Sequence, residues 1–232
     1  MRPKLDWRAV LSGGALCFAY LCAAAMPTAS AGASSPAPPR ALAQDPQGTT
    51  PTATASKVGV SDRRLNVRMG RRAVVRGRIQ PAGSTVALQV RRNGRWVTLD
   101  RDRTDAQGRY VLRNRMASPM SARARVRVSR GPAGKHGLGR LNVYRHALAS
   151  WYGPGFYGRR TGCGGSLGTS QLGVAHKSLP CGTRVTLRHR GRVVRVPVID
   201  RGPYAGAREY DLTAATARRL KFKGHGSILS TR

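Results

Sequence analysis

Apolar and polar residues alternate in short segments over most of the chain beyond its first quarter. The alternation is clearest in AVVRGRI (73–79), TVALQVRR (85–92) and VVRVPVID (193–200). A period of two is typical of strands that bury one face. Only AATARRL, which Leu212 and Thr213 open, has the three-residue apolar spacing of a helix, and Thr213 is placed to cap it. The pattern therefore predicts an all-β chain with one short helix.

The segment 58–145 contains a series of such strands separated by polar turns. We expect strands at 73–79, 85–92, 95–101, 109–115 and 122–130, with 140–145 as a further candidate. Asn93-Gly94 lies between two of them and is the strongest short signal for a hairpin. This spacing predicts a small antiparallel sandwich. The pattern, with Trp96, resembles bacterial immunoglobulin-like modules, and because it carries no chemistry we interpret it as an accessory or wall-contacting domain.

The segment 146–232 is predicted to form a second domain. We expect strands at 147–153, 174–178, 183–191, 193–200 and 226–230, with a turn at Gly191-Arg192 and a glycine-rich loop at 153–168. One short helix among many strands favours a compact closed barrel. The glycine-rich loop lacks the spacing of a phosphate-binding loop, and no motif for a cofactor or metal is found.

The N-terminus has the features of an export signal. Arg2, Lys4 and Arg8 precede an apolar run that ends at Met26, and small residues follow, so we assign 1–31 as a secretory signal peptide. A retained membrane anchor is the alternative. Residues 32–57 are rich in Ala, Pro, Ser and Thr and are predicted to form a disordered linker. We expect a secreted monomer of the cell envelope or periplasm, without a stable membrane anchor.

The chain is strongly basic, with a formal net charge of +33, and only six of its 42 basic residues are lysine. Such a balance normally suggests nucleic acid. An exported chain meets acidic wall polymers first, however, and the basic residues are spread through both folded segments without a single cluster. Peptidoglycan or another acidic wall polymer is therefore the expected partner, and specific nucleic-acid binding is not.

Two cysteines remain after removal of the leader, Cys163 and Cys181. In an oxidising compartment two nearby cysteines are most simply one disulfide. The alternative is a zinc site that combines both thiolates with His176 or His189. Exported metal sites seldom rely on oxidisable thiols, so we predict the disulfide.

Asp200 stands at the end of the predicted strand 193–200, just before Gly202 and Pro203 stop it. It is one of only three acidic residues beyond residue 145. A carboxylate in this position is either a reacting group or one half of an ion pair, with Arg201 or Arg195 as the partner. The sequence alone leaves both interpretations open.

Four motifs in the C-terminal segment together resemble a known family. They are ASWYGPGFYGRRT, VAHKSLPCGTRV, VIDRGPY and YDLTAATARRL, in this order between residues 149 and 220. The segment resembles the rare-lipoprotein-A septal-ring lytic transglycosylases and, more distantly, the expansins. This resemblance implies a six-stranded double-psi β-barrel that acts on, or binds, peptidoglycan glycan strands.

The resemblance also implies site residues. Asp200 matches the aspartate of the family's D-R-G-P motif, its catalytic acid/base, and His176 matches a second residue of the active groove. Tyr152 belongs to a segment that lines the groove. Gly165 stands where the family has a glutamate.

Beside these residues, we expect Trp151, Tyr204 and Arg201 to contact the glycan. The aromatic side chains could stack on sugar rings or belong to the core. His176 could equally be a satisfied polar residue that bonds to the backbone.

Hydrolysis of a glycosidic bond normally takes two carboxyl groups. With Gly165 in place of the glutamate that pair is not evident, although Glu209 or Asp211 could substitute. A lytic transglycosylase is a lyase that needs only one group, acting first as acid and then as base. We therefore expect peptidoglycan cleavage through Asp200, and the alternative is a non-catalytic, expansin-like wall-binding module.

Overall fold

The fold is taken from a computed structural model of the chain, in which residues 57–232 are described. The predicted signal peptide and, apart from Lys57, the predicted linker lie outside the described residues. The described residues form thirteen strands and one helix: β1 (Gly59–Arg64), β2 (Asn66–Arg68), β3 (Arg72–Arg78), β4 (Thr85–Arg92), β5 (Arg95–Arg103), β6 (Arg109–Arg115), β7 (Met120–Arg130), β8 (Lys135–Tyr152), β9 (Val174–Ala175), β10 (Arg184–His189), β11 (Arg192–Asp200), β12 (Tyr210–Thr213), α1 (Ala214–Leu220) and β13 (Gly226–Ser230). The prediction of a mostly β chain with one short helix is confirmed.

The first strands form two sheets around one core. A three-stranded sheet has the order β1-β3-β6, while β5, β4, β7 and β8 are neighbours in the larger sheet and β2 joins the edge of β8. The core between them takes side chains from both sheets, including Val75 and Leu112 from the first and Leu88 and Val126 from the second. Each of these four residues is fully buried.

The hairpin between β4 and β5 turns at the predicted dipeptide. Asn93 and Gly94 both have positive φ, 47° and 76°, as a two-residue turn of type I′ requires. The β10–β11 hairpin also turns on two residues, but His189 pairs with Arg192, so the turn lies at Arg190-Gly191. The prediction of a Gly191-Arg192 turn was therefore wrong by one residue.

Six strands close into a barrel. Going around it, the end of β8 pairs with β13, followed by β10, β11, β9 and β12, and β12 returns to β8. The β8–β12 and β9–β11 pairs are parallel and the other four are antiparallel. The interior is filled by apolar residues at alternate positions, among them Val194, Val196 and Val198 of β11. The prediction of a closed barrel is confirmed, and closure leaves no free strand edge within it.

Strand β8 is shared by both parts of the molecule. Residues 135–143 pair with β7, residues 145–149 with β13, and residues 149–152 with β12. The sequence had suggested two separate strands, at 140–145 and 147–153, whereas the structure has one strand of 18 residues. The two halves also touch through side chains, since the Thr186 hydroxyl donates to Ser121 Oγ at 3.1 Å.

Helix α1 packs on the barrel and has the predicted cap. Thr213 Oγ1 accepts a hydrogen bond from the backbone N–H of Thr216 at 3.2 Å, and Lys221 ends the helix in a left-handed conformation. Thr213 is at the same time the last residue of β12, a strand that the sequence pattern did not reveal. Within residues 57–232 no helix has the length and apolar character needed to cross a membrane.

Candidate functional site

Asp200 is the last residue of β11 and is half-buried. Its Oδ1 accepts two backbone hydrogen bonds, from Gly162 N at 2.6 Å and from Arg201 N at 2.8 Å. Main-chain donors hold a carboxylate without the entropy cost of ordering a further side chain. No backbone donor of the described residues binds Oδ2. The carboxylate is therefore oriented through one oxygen, and the other remains available for proton transfer.

The donor to Asp200 comes from the glycine-rich loop at 153–168. A Cβ atom at Gly162 would lie 2.7 Å from Arg201 Cγ, closer than real contacts allow, so only glycine brings this part of the loop against Arg201. The Thr161 hydroxyl donates to Gly164 O at 2.7 Å and stabilises the turn around Gly162. Gly162 was not among the predicted site residues, because a backbone donor leaves no side-chain signal in a sequence.

The predicted disulfide fixes this loop. Cys163 and Cys181 are bonded, with their Cα atoms 5.6 Å apart. The bond joins the residue after Gly162 to the segment that follows His176. Since both sulfur atoms are in the disulfide, the alternative of a zinc site built on two thiolates was wrong.

Arg201 turns its guanidinium away from the Asp200 carboxylate. Nη1 donates to the carbonyl oxygens of His176 at 3.0 Å and Leu179 at 2.7 Å, while Nη2 lies 2.8 Å from Cys181 Sγ. Among the described residues Asp200 forms no ion pair. The alternative in which Asp200 pins the turn through an ion pair with Arg201 was therefore wrong, and Arg201 instead binds the 176–181 segment to the end of β11.

Tyr152 lies beside Asp200. Burial raises the pKa of the Tyr152 hydroxyl, and the negative charge of Asp200 raises it further. The hydroxyl oxygen is buried, yet it makes no hydrogen bond of ordinary length and angle in the described structure. A buried O–H without a partner is rare in proteins and costs free energy. The unsatisfied Tyr152 hydroxyl therefore lies next to the Asp200 carboxylate.

Asp211 forms a second polar group near Tyr152. Its Oδ1 accepts a hydrogen bond from the Ser150 hydroxyl, and Arg208 Nη1 lies 3.8 Å from the same oxygen. Arg208 also donates to Ser150 Oγ at 2.7 Å. The negative charge of Asp211 contributes to the raised pKa of Tyr152. Ser150 and Arg208 were not predicted as site residues. Ser150 meets Asp211 only through the pairing of β8 with β12, and Arg208 lies three residues before Asp211 outside any motif that was singled out.

The His176 imidazole is oriented by the backbone. Nδ1 accepts hydrogen bonds from Ser178 N at 3.1 Å and Leu179 N at 3.0 Å, so the neutral ring carries its proton on Nε2. The ring packs against Tyr210, with 5.1 Å between ring centroids. Burial lowers the pKa of His176. The negative charge of Glu209 opposes this shift, and nearby cations, among them Arg145, lower the pKa further. No hydrogen bond within the described residues joins this ring to the Asp200 carboxylate.

Glu209 is engaged elsewhere. Arg145 donates to both of its carboxylate oxygens, at 2.8 and 2.5 Å, and the hydrogen bonds from Arg145 lower the pKa of Glu209. A bidentate arginine pair of this kind is typical of a structural ion pair. Glu209 is thus bound to a cation and is not free to act as the second carboxyl group of the site.

The remaining predicted contact residues, Trp151 and Tyr204, are exposed side chains. Trp151 is 40 % exposed and borders a small apolar pocket with Tyr157 and Phe222, next to α1. Tyr204 is 79 % exposed. Neither residue belongs to the core. Gly165 has a φ of 76°, and a Cβ atom there would have open space around it.

These observations define a class of protein. A six-stranded closed barrel of mixed parallel and antiparallel strands carries a single oriented carboxylate at the end of a strand, beside an aromatic hydroxyl. Residues 145–229 match the family model of a double-psi β-barrel domain described as lytic transglycolase. The resemblance inferred from the four sequence motifs is confirmed for this segment.

Individual relatives agree with the family model. The chain is 46 % identical over 81 residues to a probable endolytic peptidoglycan transglycosylase RlpA of Synechocystis sp., an alignment that covers 34 % of this chain and 25 % of that protein. It is 39 % identical over 97 residues to the protein of the same description from Aquifex aeolicus, covering 41 % and 43 %.

A third relative is the endolytic peptidoglycan transglycosylase RlpA of Campylobacter jejuni, 40 % identical over 82 residues and covering 34 % of this chain and 30 % of that protein. The chain therefore spans less than half the length of these relatives. The likeness to them is a likeness between domains.

Proposed function

We propose that the chain is an exported cell-wall protein whose barrel cleaves peptidoglycan glycan strands by lytic transglycosylation, with Asp200 as the acid/base. The observation that carries this proposal is the Asp200 carboxylate, which two backbone N–H groups hold through Oδ1 alone and which lies beside the Tyr152 hydroxyl. The family match over residues 145–229 supplies the substrate class.

A single carboxyl group is sufficient for this reaction, because it acts first as the acid and then as the base. Protonated Asp200 gives its proton to the glycosidic oxygen as the bond from that oxygen to the anomeric carbon breaks. The resulting carboxylate then takes the proton of the sugar's own 6-hydroxyl, whose oxygen forms the new bond to the anomeric carbon. The product is a 1,6-anhydro sugar and no water is consumed. Asp200 ends the cycle protonated, as it began.

The other residues have supporting roles in the proposal. Tyr152 donates a hydrogen bond to Asp200 Oδ2 or to the reacting oxygen when the glycan is bound. His176 offers Nε2–H, which makes no hydrogen bond within residues 57–232, to a glycan hydroxyl. Trp151 and Tyr204 are exposed aromatic side chains that can stack on sugar rings. Arg201 positions the turn that carries Asp200.

The test is digestion of insoluble peptidoglycan by the purified full-length chain. We expect 1,6-anhydro-muropeptides, identified by mass spectrometry, and a loss of activity of about 10²- to 10⁴-fold in Asp200→Asn. Asp211→Asn is the matched control, because it makes the same change in the neighbouring carboxylate, and we expect it to retain activity within about tenfold. Absence of anhydro products, or equal yields from Asp200→Asn and the wild type, would reject the proposal.

A second candidate is a non-catalytic, expansin-like wall-binding module. The observation that favours it is the lack of a second free carboxyl group, because Asp211 and Glu209 are both engaged and Gly165 replaces the family glutamate. Sedimentation of the chain with insoluble peptidoglycan, with no soluble fragments released, would support this candidate. Failure to sediment would remove it.

We further propose a domain organisation for the described residues. Residues 58–145 form an immunoglobulin-like sandwich, supported by the sheet orders β1-β3-β6 and β5-β4-β7-β8, with β2 parallel to β8. Residues 146–232 form the barrel. In this proposal the leader at 1–31 directs export and the protein acts as a monomer. Size-exclusion chromatography with light scattering on the exported protein tests the monomer, and its N-terminal sequence tests cleavage of the leader.

A further inference from the structure

Seven of the arginines line one open groove of the described structure. This groove of about 740 Å³ runs along the β1-β3-β6 sheet and β2. Six of the arginines that line it form no ion pair with any carboxylate of residues 57–232: Arg64, Arg68, Arg71, Arg72, Arg113 and Arg115. A seventh, Arg76, is bonded to Asp62 at 2.8 Å. The face is therefore a concentrated and largely uncompensated positive surface.

The pairing of the strands brings these charges close together. Arg72 of β3 lies directly opposite Arg115 of β6, and Arg113 lies opposite Val74, whose other neighbour is Arg64 of β1. Like charges directly opposite each other destabilise a sheet. The core cannot require them, because the inward positions of β3 are taken by Ala73 and Val75. The arrangement is unfavourable for folding and favourable for binding an anion.

The geometry fits a chain of phosphates. Alternate residues of a strand are ~6.8 Å apart, so Arg113 and Arg115 of β6 leave the sheet at about that spacing, beside Arg72 of β3. The planar fork of arginine suits the oxygens of phosphate better than any other side chain does. No aromatic side chain lines the groove. Proteins that bind single-stranded nucleic acid stack its bases on aromatic rings, so this groove fits a phosphate polymer without bases.

We propose that this face, the arginine groove, binds an anionic wall polymer in which phosphodiester groups are joined by short polyol units. The choice of a wall polymer over nucleic acid rests on the proposed wall function and on the lack of aromatic residues. Binding itself is independent of glycan cleavage, since the arginine groove contains none of the residues assigned to the site around Asp200.

The test compares two triple variants of the full-length chain with the same loss of charge. Arg72→Gln/Arg113→Gln/Arg115→Gln removes the centre of the arginine groove. Arg95→Gln/Arg101→Gln/Arg127→Gln is the matched control, with three exposed strand arginines on the larger sheet that form no ion pair among the described residues.

Affinity for synthetic poly(glycerol phosphate) is measured by fluorescence anisotropy at several salt concentrations. We expect the groove variant to lose more than about tenfold in affinity and its log–log salt slope to fall by about 2, while the control variant changes by less than about threefold. Thermal unfolding checks that both variants fold, and the groove variant should be at least as stable as the wild type, since a repulsive pair is removed.

Three outcomes would overturn the proposal. Equal losses in the two triple variants would mean a diffuse effect of net charge. Tighter binding of oligo(dT) through the same arginines would assign the groove to nucleic acid. Affinity for poly(glutamate) equal to that for poly(glycerol phosphate) would show that the groove does not prefer phosphodiesters. Asp200→Asn should bind poly(glycerol phosphate) as the wild type does, so failure of the cleavage proposal and failure of this one are separable.

Discussion

The backbone N–H of Gly162 donates to Oδ1 of Asp200 across 38 positions of sequence. The carboxylate proposed to carry the chemistry is thus oriented by a loop residue that has no side chain. That loop is in turn tied by the Cys163–Cys181 disulfide to the segment after His176. Proton transfer depends steeply on distance and direction, so the loop is expected to control activity as strongly as the residues with titratable groups do.

Gly162→Ala is expected to disturb both stability and activity. The new Cβ would lie 2.7 Å from Arg201 Cγ, so the loop or the arginine must shift. We expect a loss of about 1–3 kcal/mol in the free energy of unfolding, as for overpacked sites, and a loss of activity of at least about tenfold. Denaturant unfolding and peptidoglycan digestion measure the two effects.

Gly168→Ala is the control, since its Cβ would make only an ordinary 3.8 Å contact with Gln171 in the same loop. Equal effects of the two substitutions would contradict the role given to Gly162.

Loss of the Cys163–Cys181 disulfide is expected to weaken the hydrogen bond from Gly162 N to Asp200 Oδ1. In the chain-entropy model, closing a loop with a sequence separation of 18 stabilises the fold by about 3 kcal/mol. We expect Cys163→Ser/Cys181→Ser to lose about that amount and to show faster hydrogen exchange at the Gly162 amide. Dithiothreitol should reproduce the loss of stability in the wild type and leave the double variant unchanged. Unchanged hydrogen-exchange protection of the Gly162 amide in the double variant would contradict a role of the disulfide in orienting Asp200.

Tyr152→Phe is expected to separate function from stability. The hydroxyl is buried without a hydrogen bond, so its removal should leave the free energy of unfolding unchanged or raise it by up to about 1 kcal/mol. Activity should nevertheless fall, by about tenfold, if the hydroxyl assists Asp200. Tyr210→Phe is the control, because its hydroxyl accepts a hydrogen bond from Ser230 at 3.0 Å, and we expect about 1 kcal/mol of destabilisation there. Full activity of Tyr152→Phe would exclude the hydroxyl from the reaction.

Stability is expected to depend on pH through His176. Burial lowers the pKa of His176 below its ordinary value of 6.5. The unfolded chain therefore binds a proton that the folded chain resists, and the free energy of unfolding falls as pH is lowered from 6.5 through the folded-state pKa. His176→Gln should flatten this part of the stability profile. A profile identical to that of the wild type would show that another group is responsible.

A second acid-dependent loss is expected from Glu209. Arg145 lowers the pKa of Glu209 below its ordinary value of 4.5, so this contribution is complete above pH 4.5 and is lost as pH falls below it. Glu209→Gln should reduce the loss below pH 4.5, to which Asp105 also contributes because its hydrogen bonds to Arg109 lower its pKa, while leaving the loss between pH 6.5 and 4.5. Urea unfolding at a series of pH values measures both. If Glu209→Gln also abolished the loss of stability between pH 6.5 and 4.5, the assignment of that loss to His176 would be contradicted.

The strands could be predicted where alternation continues without interruption. Segments 85–92 and 109–115 match β4 and β6 at both ends, and 193–200 differs from β11 by one residue. Strand β12 was missed because its four residues run directly into the helix cap, and Thr213 serves both elements. The first residues of β8 were missed since Gly137 and Gly139 break the apolar pattern, although both lie on a strand whose pairing to β7 is set by tertiary contacts. Its continuity was missed because the boundary between the two predicted domains was placed at residue 146, inside the strand.

The candidate site could be predicted only where a side chain carries the signal. Asp200 and the two cysteines have sequence contexts that single them out, and the disulfide is confirmed. The donor at Gly162 is a backbone group, and the direction of the Arg201 guanidinium depends on carbonyl oxygens supplied by another segment. The clustering of arginines could not be read from their even spread along the chain. It arises because β1, β3 and β6 become neighbours in space.

The unbroken course of β8 has a mechanical consequence. A single strand of 18 residues carries the polypeptide from the sheet beside β7 into the barrel wall, and no linker interrupts it. The barrel therefore cannot swivel freely on a tether, and a polymer held on one part of the molecule would meet the other at a set offset. Such a molecule would keep its two parts at a constant spacing and orientation.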